Sequence, residues 1–503
     1  MITLRRTLRA LLVAVLCLFL VLFINTFRLR SLQPAPGENV IITYDADTAV
    51  QRLVGLIQIP TVSSSVNPSQ HSSENIEDSN HFDALIAYLH AQWPTVFSTL
   101  STQTFSGHAQ LLRWEGRDKE LEPLLLLAHL DVVPASEQNW RQPPFSGAIL
   151  DGEIWGRGTL DDKGSVAAIL ESVAALIQQG AQPERTLLIA LGDDEEVGGY
   201  GAAAISRYLA SENITPWMVL DEGGFVLSDS PLPVAAPVAL VGISEKGYLS
   251  VKLTASAPGG HSSMPPRELA IFKLSHALER IHAHPFTATL DGPADKMFYW
   301  ITTEMRWPER VLFSNTWLFQ PLIISQLERS PGGNALLRTT QAPTLLSAGV
   351  KDNVLPESAS AVINFRLHPH DSTENVITHL ATVINDSSIT LTPLNEATGI
   401  IRKASRIDHP AFNTLAQSIR TSFPDAYVAP YLMVGASDAR HYRNLSDQVY
   451  RFAPLRLNND SLSLLHGANE RISKDSFYQA IQFYANLIFL SNATADVITP
   501  RAE

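Results

Sequence analysis

Cysteine is almost missing from this 503-residue chain: Cys17 is the single one, and it lies in an apolar N-terminal stretch. That excludes a disulfide framework and a thiolate metal site, so any metal must be held by His, Asp and Glu. It does not fix the compartment, because disulfides are permitted but not required outside the cytoplasm. Basic residues are also scarce. Only 37 Lys and Arg face 50 Asp and Glu, a net charge of -13, and they form no basic tract. Phosphate backbones are bound by clustered cations, so nucleic acid is excluded as the main partner. A G-x-S-x-G string is absent as well, which removes the nucleophile elbow of a serine hydrolase. No repeat of solenoid length is found.

What is present is a chain with ample core, 45% hydrophobic and 17% charged, long enough for two globular domains. Residues Ala10 to Phe27 carry no charge, follow Arg5, Arg6 and Arg9, and precede Arg28 and Arg30. The length is near the lower limit for a membrane-spanning helix, and no small-x-small cleavage site follows. An uncleaved N-terminal transmembrane anchor is therefore expected over 1–30, with a linker over 31–45 containing Pro34, Pro36 and Gly37. Three arginines before the segment against two after it favour a cytoplasmic N-terminus and an extracytoplasmic body. Cleavage of the segment would make the protein secreted.

Beyond the linker, apolar runs alternate with helix-period patterns, which predicts an α/β fold with a mostly parallel sheet and helices on both faces. The clearest run is Leu124 to Pro134, LLLLAHLDVVP, a buried strand that stops at His129 with Asp131 two residues on. In open α/β sheets, ligands bind at the carboxyl ends of the strands. Three further segments repeat the device, ending in Asp161-Asp162, in Asp193-Asp194-Glu195-Glu196 and in Asp221-Glu222. After about Gly242 the rhythm changes to strand, helix, two strands, helix, strand, the ferredoxin-like βαββαβ order. The expected boundaries are 46–242 and 398–491 for a catalytic domain in two parts, 243–397 for the inserted domain, and 492–503 for a tail. Inside the insert, about Pro285 to Thr340 is rich in aromatics (Phe298, Trp300, Trp307, Trp317, Phe319), which either cover an apolar substrate or simply pack; packing is the commoner fate.

A hydrolytic site with two metal ions and no thiols needs imidazoles, a carboxylate able to bridge, and a spare carboxylate for the proton of the water. His129, Asp161, the Glu195-Glu196 pair, Asp221 and the distant His466 would supply such a set. Each is weak alone, since paired turn carboxylates are often only solvated. Their shared position at strand ends is what lifts them. A glycosidase needs only a carboxylate pair and leaves the histidines unexplained.

The strings His129-Leu-Asp131-Val-Val-Pro134, Gly156-Arg-Gly-Thr-Leu-Asp161-Asp-Lys-Gly164, Asp194-Glu195-Glu196-Val-Gly-Gly199, Gly259-Gly-His261-Ser-Ser263 and Leu465-His466-Gly467 resemble the successive signatures of the M20 metallopeptidases. Asp221, the Leu465-to-Glu470 ending and the aromatic insertion look most like the branch of carboxypeptidase S and the N-fatty-acyl-amino-acid hydrolases. The resemblance implies two Zn2+ ions, with Co2+ or Mn2+ as substitutes, bridged by Asp161. His129 and Asp221 would complete one site, Glu196 and His466 the other. It implies that Asp131 accepts the other ring N–H of His129 and that Glu195 is the general base. His261, from the inserted lid and dimerisation domain, would steady the oxyanion, often in the partner's site of a homodimer.

The resemblance further places Arg440 and Asn353 in a pocket for a free carboxylate, which suits a guanidinium fork. Arg366 either joins them or pairs across strands. The implied activity is hydrolysis of an N-acyl-amino acid or short peptide; the alternative is a catalytically silent binding or scaffold protein at the membrane.

Overall fold

The computed structural model describes residues 2–63, 76–395 and 403–492. The domain boundary expected at 397/398 and nearly all of the tail expected at 492–503 lie outside those residues.

The fold is built on the strand Leu124–His129, buried along its whole length. Because side chains alternate across a strand, Leu124, Leu126 and Ala128 enter one apolar cluster with Ile169 and Val173 of helix Lys163–Gln178 and Phe477 and Ile481 of helix Lys474–Ser491. Leu125 and Leu127 enter another, with Ile205 and Leu209 of helix Tyr200–Ser211. Helices thus cover both faces, as a strand without a polar side requires. Burial of this kind stabilises by roughly 1.5–3 kcal/mol per large aliphatic side chain.

Leu124–His129 pairs in parallel with Leu187–Gly192 on one side and Met218–Asp221 on the other, and Met218–Asp221 pairs in parallel with Val449–Arg451. The sheet as a whole is mixed, with antiparallel strands added to the parallel pairs expected from the alternation of strands and helices. Ser101–Phe105 and Ala109–Trp114 add an antiparallel hairpin at one edge, and Val226–Leu227 and Val449–Arg451 both run antiparallel to Val238–Glu245. The connection between Phe105 and Ala109 is only three residues long, too short for the crossover that parallel pairing needs.

A second, four-stranded antiparallel sheet has the order Thr340–Ala348, Ser358–Leu367, Gly247–Ser256, Ile389–Pro393. Helices Ala270–Ala283 and Thr373–Ile384 pack on it around a cluster of their own, including Leu249, Leu274, Ile363 and Leu380. Between them, helices Gly292–Ile301, Trp307–Phe313, Thr316–Leu327 and Pro331–Leu337 form the aromatic-rich insertion. Met297, Phe298 and Ile323 pack there against Val238 and Ala429 of the first sheet. The N-terminal helix Ile2–Arg28 has a mean hydropathy of 2.8 over its apolar window and is almost wholly exposed.

Candidate metal centre

Four strand ends converge. His129, at the last residue of its strand, turns Nε2 to within 2.9 Å of Asp161 Oδ1, and the other oxygen of Asp161 lies 3.1 Å from His466 Nε2. His466 Nε2 in turn stands 3.2 Å from Glu196 Oε1. One carboxylate thus lies between two imidazoles, the position a bridging ligand must hold. The two histidines are 337 residues apart in the chain.

Asp131 organises the inner wall. His129 Nδ1 sits 3.0 Å from its backbone oxygen and 3.2 Å from its carboxylate. The same carboxylate accepts the backbone N–H groups of Glu195 and Glu196, both at 3.1 Å, and the hydroxyl of Ser63 at 2.7 Å. The turn Glu195–Val197 is thereby held against the strand end, with Glu196 aimed at His466 and Glu195 at Arg440, whose Nη1 is 3.7 Å from Glu195 Oε1.

Asp221 is buried at the end of its strand, beside this cluster. Its carboxylate accepts from the backbone N–H of Ala439 at 2.6 Å and of Glu222 at 3.0 Å. At the next residue, a Glu222 oxygen lies within 4.8 Å of ligand atoms of His129 and Asp162. Glu470 is a second residue that the sequence did not single out. Fully buried, it accepts from the backbone N–H groups of Gly158, Leu160 and Asp161 at 3.0, 2.9 and 3.3 Å, and pairs with Arg157, which donates to His466 O at 3.0 Å. One carboxylate thus positions both the Asp161 loop and the His466 loop. The signal available for it was its spacing, four residues after His466.

Of the residues expected to touch substrate, Arg440 lies beside Glu195 and Asp438 on the rim of this cluster. His261 and Asn353 stand together elsewhere. The two-residue strand Gly260–His261 pairs with Val354–Leu355, both residues are exposed, and His261 Nδ1 lies 2.8 Å from Ser263 Oγ. Arg366 stacks over the Tyr248 ring at 5.0 Å within the second sheet.

The electrostatics of the cluster call for cations. Burial, then the Asp438 carboxylate, pushes the Glu195 carboxyl well above its ordinary range, and burial with Asp161 and Asp162 does the same to Glu222. Hydrogen bonds to Asp161 and Glu196 raise His466 to about 10. Glu196 Oε1 is buried against the His466 ring, and among the described residues neither of the two buried Asp162 oxygens accepts a well-formed hydrogen bond. Buried carboxylates are stable when paired or when they coordinate metal, and an imidazole and carboxylate donor set suits zinc in particular. The residues present therefore fit a metal centre.

Residues 125–489 match the peptidase family M20/M25/M40, and the chain belongs to that family. It is an enzyme of the amidohydrolase and carboxypeptidase class, which sets aside the silent scaffold. Among its relatives, a probable carboxypeptidase S-like 2 of Dictyostelium discoideum is 40% identical over 94% of this chain and 91% of its own. An N-fatty-acyl-amino acid synthase/hydrolase PM20D1 of Xenopus tropicalis is 38% identical over 98% and 96%. Among solved structures, an M20 family metallo-carboxypeptidase from Sulfolobus solfataricus superposes with a TM-score of 0.61 over 88% of this chain and 98% of its own, at 18% identity, and so shares the fold.

Proposed function

We propose that the protein is a membrane-anchored hydrolase that uses two zinc ions to cleave the amide bond of N-acyl-amino acids, or of short peptides, with a free carboxylate beyond the scissile bond. The observation that carries the reading is the Asp161 carboxylate held between His129 and His466, with Glu195 beside His129 and Arg440. His129 and Glu222 would hold one ion with Asp161, and Glu196 and His466 the other; Glu222 is preferred to Asp221 because its oxygen approaches His129 and Asp162, while each Asp221 oxygen already accepts a backbone N–H group. Zinc, when bound, supplies a polarised carbonyl and a water acidic enough to attack near neutral pH.

The rest is done by side chains. Glu195 accepts the proton of the attacking water and passes it to the leaving nitrogen, a role that its raised pKa suits. Asp131 holds the His129 ring in one orientation. Arg440 receives the free carboxylate of the substrate in a bidentate fork, with Asn353 and Arg366 as further candidates should the second sheet close over the cleft. His261, on the two-stranded pair with Val354–Leu355, would donate to the oxyanion of an adjoining subunit. The two relatives named above support an acyl-amino acid or a peptide equally, and the first test separates them. Purified full-length protein in detergent, given zinc, should release amino acid from N-acyl-amino acids or dipeptides and lose that activity to a chelator. A zinc-replete protein inert toward both classes would overturn the reading.

A further inference from the structure

The insertion has a face that the described residues leave uncovered. Helices Trp307–Phe313 and Thr316–Leu327 send Phe313, Phe319 and Ile323 inward toward Val238 and Ala429, yet Trp307, Trp317 and Leu322 are 51%, 60% and 57% exposed. The second of these helices has no charged residue in its 12 positions. A surface helix in water ordinarily pairs its apolar stripe with a charged face, and clustered exposed aromatics of this kind mark a contact with something apolar.

The same face is continuous with the N-terminal helix. Asn25 Nδ2 donates to Asn315 Oδ1 at 2.9 Å, Asn315 Nδ2 donates to Leu22 O at 3.2 Å, and the Phe27 and Trp307 rings are 5.4 Å apart. Ser31, just past the helix, donates to Glu304 at 2.6 Å. All of these contacts fall on or just beyond the last two turns of Ile2–Arg28, where its apolar run ends. Whatever layer receives the rest of that helix must also meet Trp307 and Trp317, because they are docked on the end by which it leaves.

We propose that the face formed by Trp307, Trp317, Leu318 and Leu322 lies against the lipid bilayer beside the N-terminal span, so that the insertion is a second, interfacial membrane contact of this protein. The inference rests on the reading of Ile2–Arg28 as an anchor. Tryptophan is enriched at the headgroup level, and exposed apolar side chains gain by leaving water for the acyl boundary. On its inner side the insertion packs against Tyr431, whose hydroxyl donates to Gly223 O at 3.1 Å, next to Glu222. The metal cluster therefore stands one packed layer behind the lipid-facing helices.

The N-terminal helix contains no tryptophan and the chain has 8 in all, which makes fluorescence the direct probe. Full-length protein is inserted into phosphatidylcholine vesicles with or without brominated acyl chains, and flotation is checked first. Brominated lipid should quench part of the tryptophan emission, and the Trp307→Phe/Trp317→Phe double variant should float equally well but lose that quenching. Floating protein whose emission is insensitive to bromine, or equally sensitive in the double variant, overturns the proposal. Insensitivity combined with a paired state in single-molecule counting would assign the face to a second copy instead. Failure of the wild-type chain to float overturns the anchor itself and this inference with it, an outcome distinct from the others.

Discussion

Glu195 and Glu196 are neighbours whose backbone N–H groups rest on one carboxylate, Asp131, while their side chains diverge. Glu196 reaches His466 and Glu195 does not, so the two should fail differently when neutralised. Glu195→Gln is expected to lower kcat by about 10²–10⁴, the usual share of a positioned acid–base group, with bound zinc unchanged by elemental analysis; a parallel loss of zinc would make Glu195 a ligand. The pair Asp221 and Glu222 gives a second contrast. Glu222→Gln should weaken the binding of one zinc equivalent, whereas Asp221→Asn should keep both. Asp221→Asn should instead destabilise the fold by about 1–3 kcal/mol, because a buried acceptor of two N–H groups is disturbed. Zinc titration and denaturant unfolding of both variants decide it, and the reverse pattern would restore Asp221 as the ligand. Consecutive residues at a strand end face different sides, and which of two acids meets the metal depends on where the strand stops pairing. That is set by Val449–Arg451 beside it and by Ala439 above it, residues more than 200 positions away. His129, Asp161, Glu196 and His466 were readable because each closes an apolar run or sits in a motif of its own.

At the scale of elements, fully buried runs announced themselves: LLLL before His129 and the apolar stretch before Gly192 are strands within a residue of expectation. Thr340–Ala348 is mostly exposed, so burial left no pattern in its sequence. The sheet's mixed character was likewise hidden, since pairing direction is decided by connection length and edge position more than by composition. Lys246, between two strands, is a case the sequence passed over entirely. Its buried Nζ donates to Ala335 O and Arg338 O, both at 2.9 Å, tying the end of Val238–Glu245 to helix Pro331–Leu337 and the residue after it. Burial, with Arg366 nearby, lowers its pKa to about 7, while in the unfolded chain it titrates near ~10.4. Between those values the unfolded state holds the extra proton, so this lysine makes stability rise with pH and gives that contribution up as pH falls through about 7. Lys246→Met should therefore flatten the stability profile between about pH 7 and about pH 10, measured by denaturant unfolding against wild type. Equal slopes would place the lysine's charge outside the fold's energetics.

At the scale of the molecule, the two sheets divide the work. The first brings His129, Glu195 and Glu196 to Asp161 from its strand ends, with His466 arriving on a loop and Arg440 on a turn. Arg366 rides on a strand of the second, and His261 and Asn353 lie at the two-stranded pair Gly260–His261 and Val354–Leu355. An exposed histidine that its own chain leaves beside Ser263 serves the reaction only if a closing motion or another subunit brings it to a cleft. The two routes differ in a measurable way. His261→Ala and Glu195→Gln should each abolish most turnover, the first with zinc content intact. If His261 acts across a homodimer, mixing the two inactive variants under conditions that exchange subunits creates sites with Glu195 from one chain and His261 from the other. Random pairing then restores roughly a quarter of wild-type activity, since half the dimers are mixed and each holds one complete site. Closure within a single chain predicts no recovery at any mixing ratio. A mixture that stays inactive while mass measurement shows exchanged dimers would assign His261 to its own cleft.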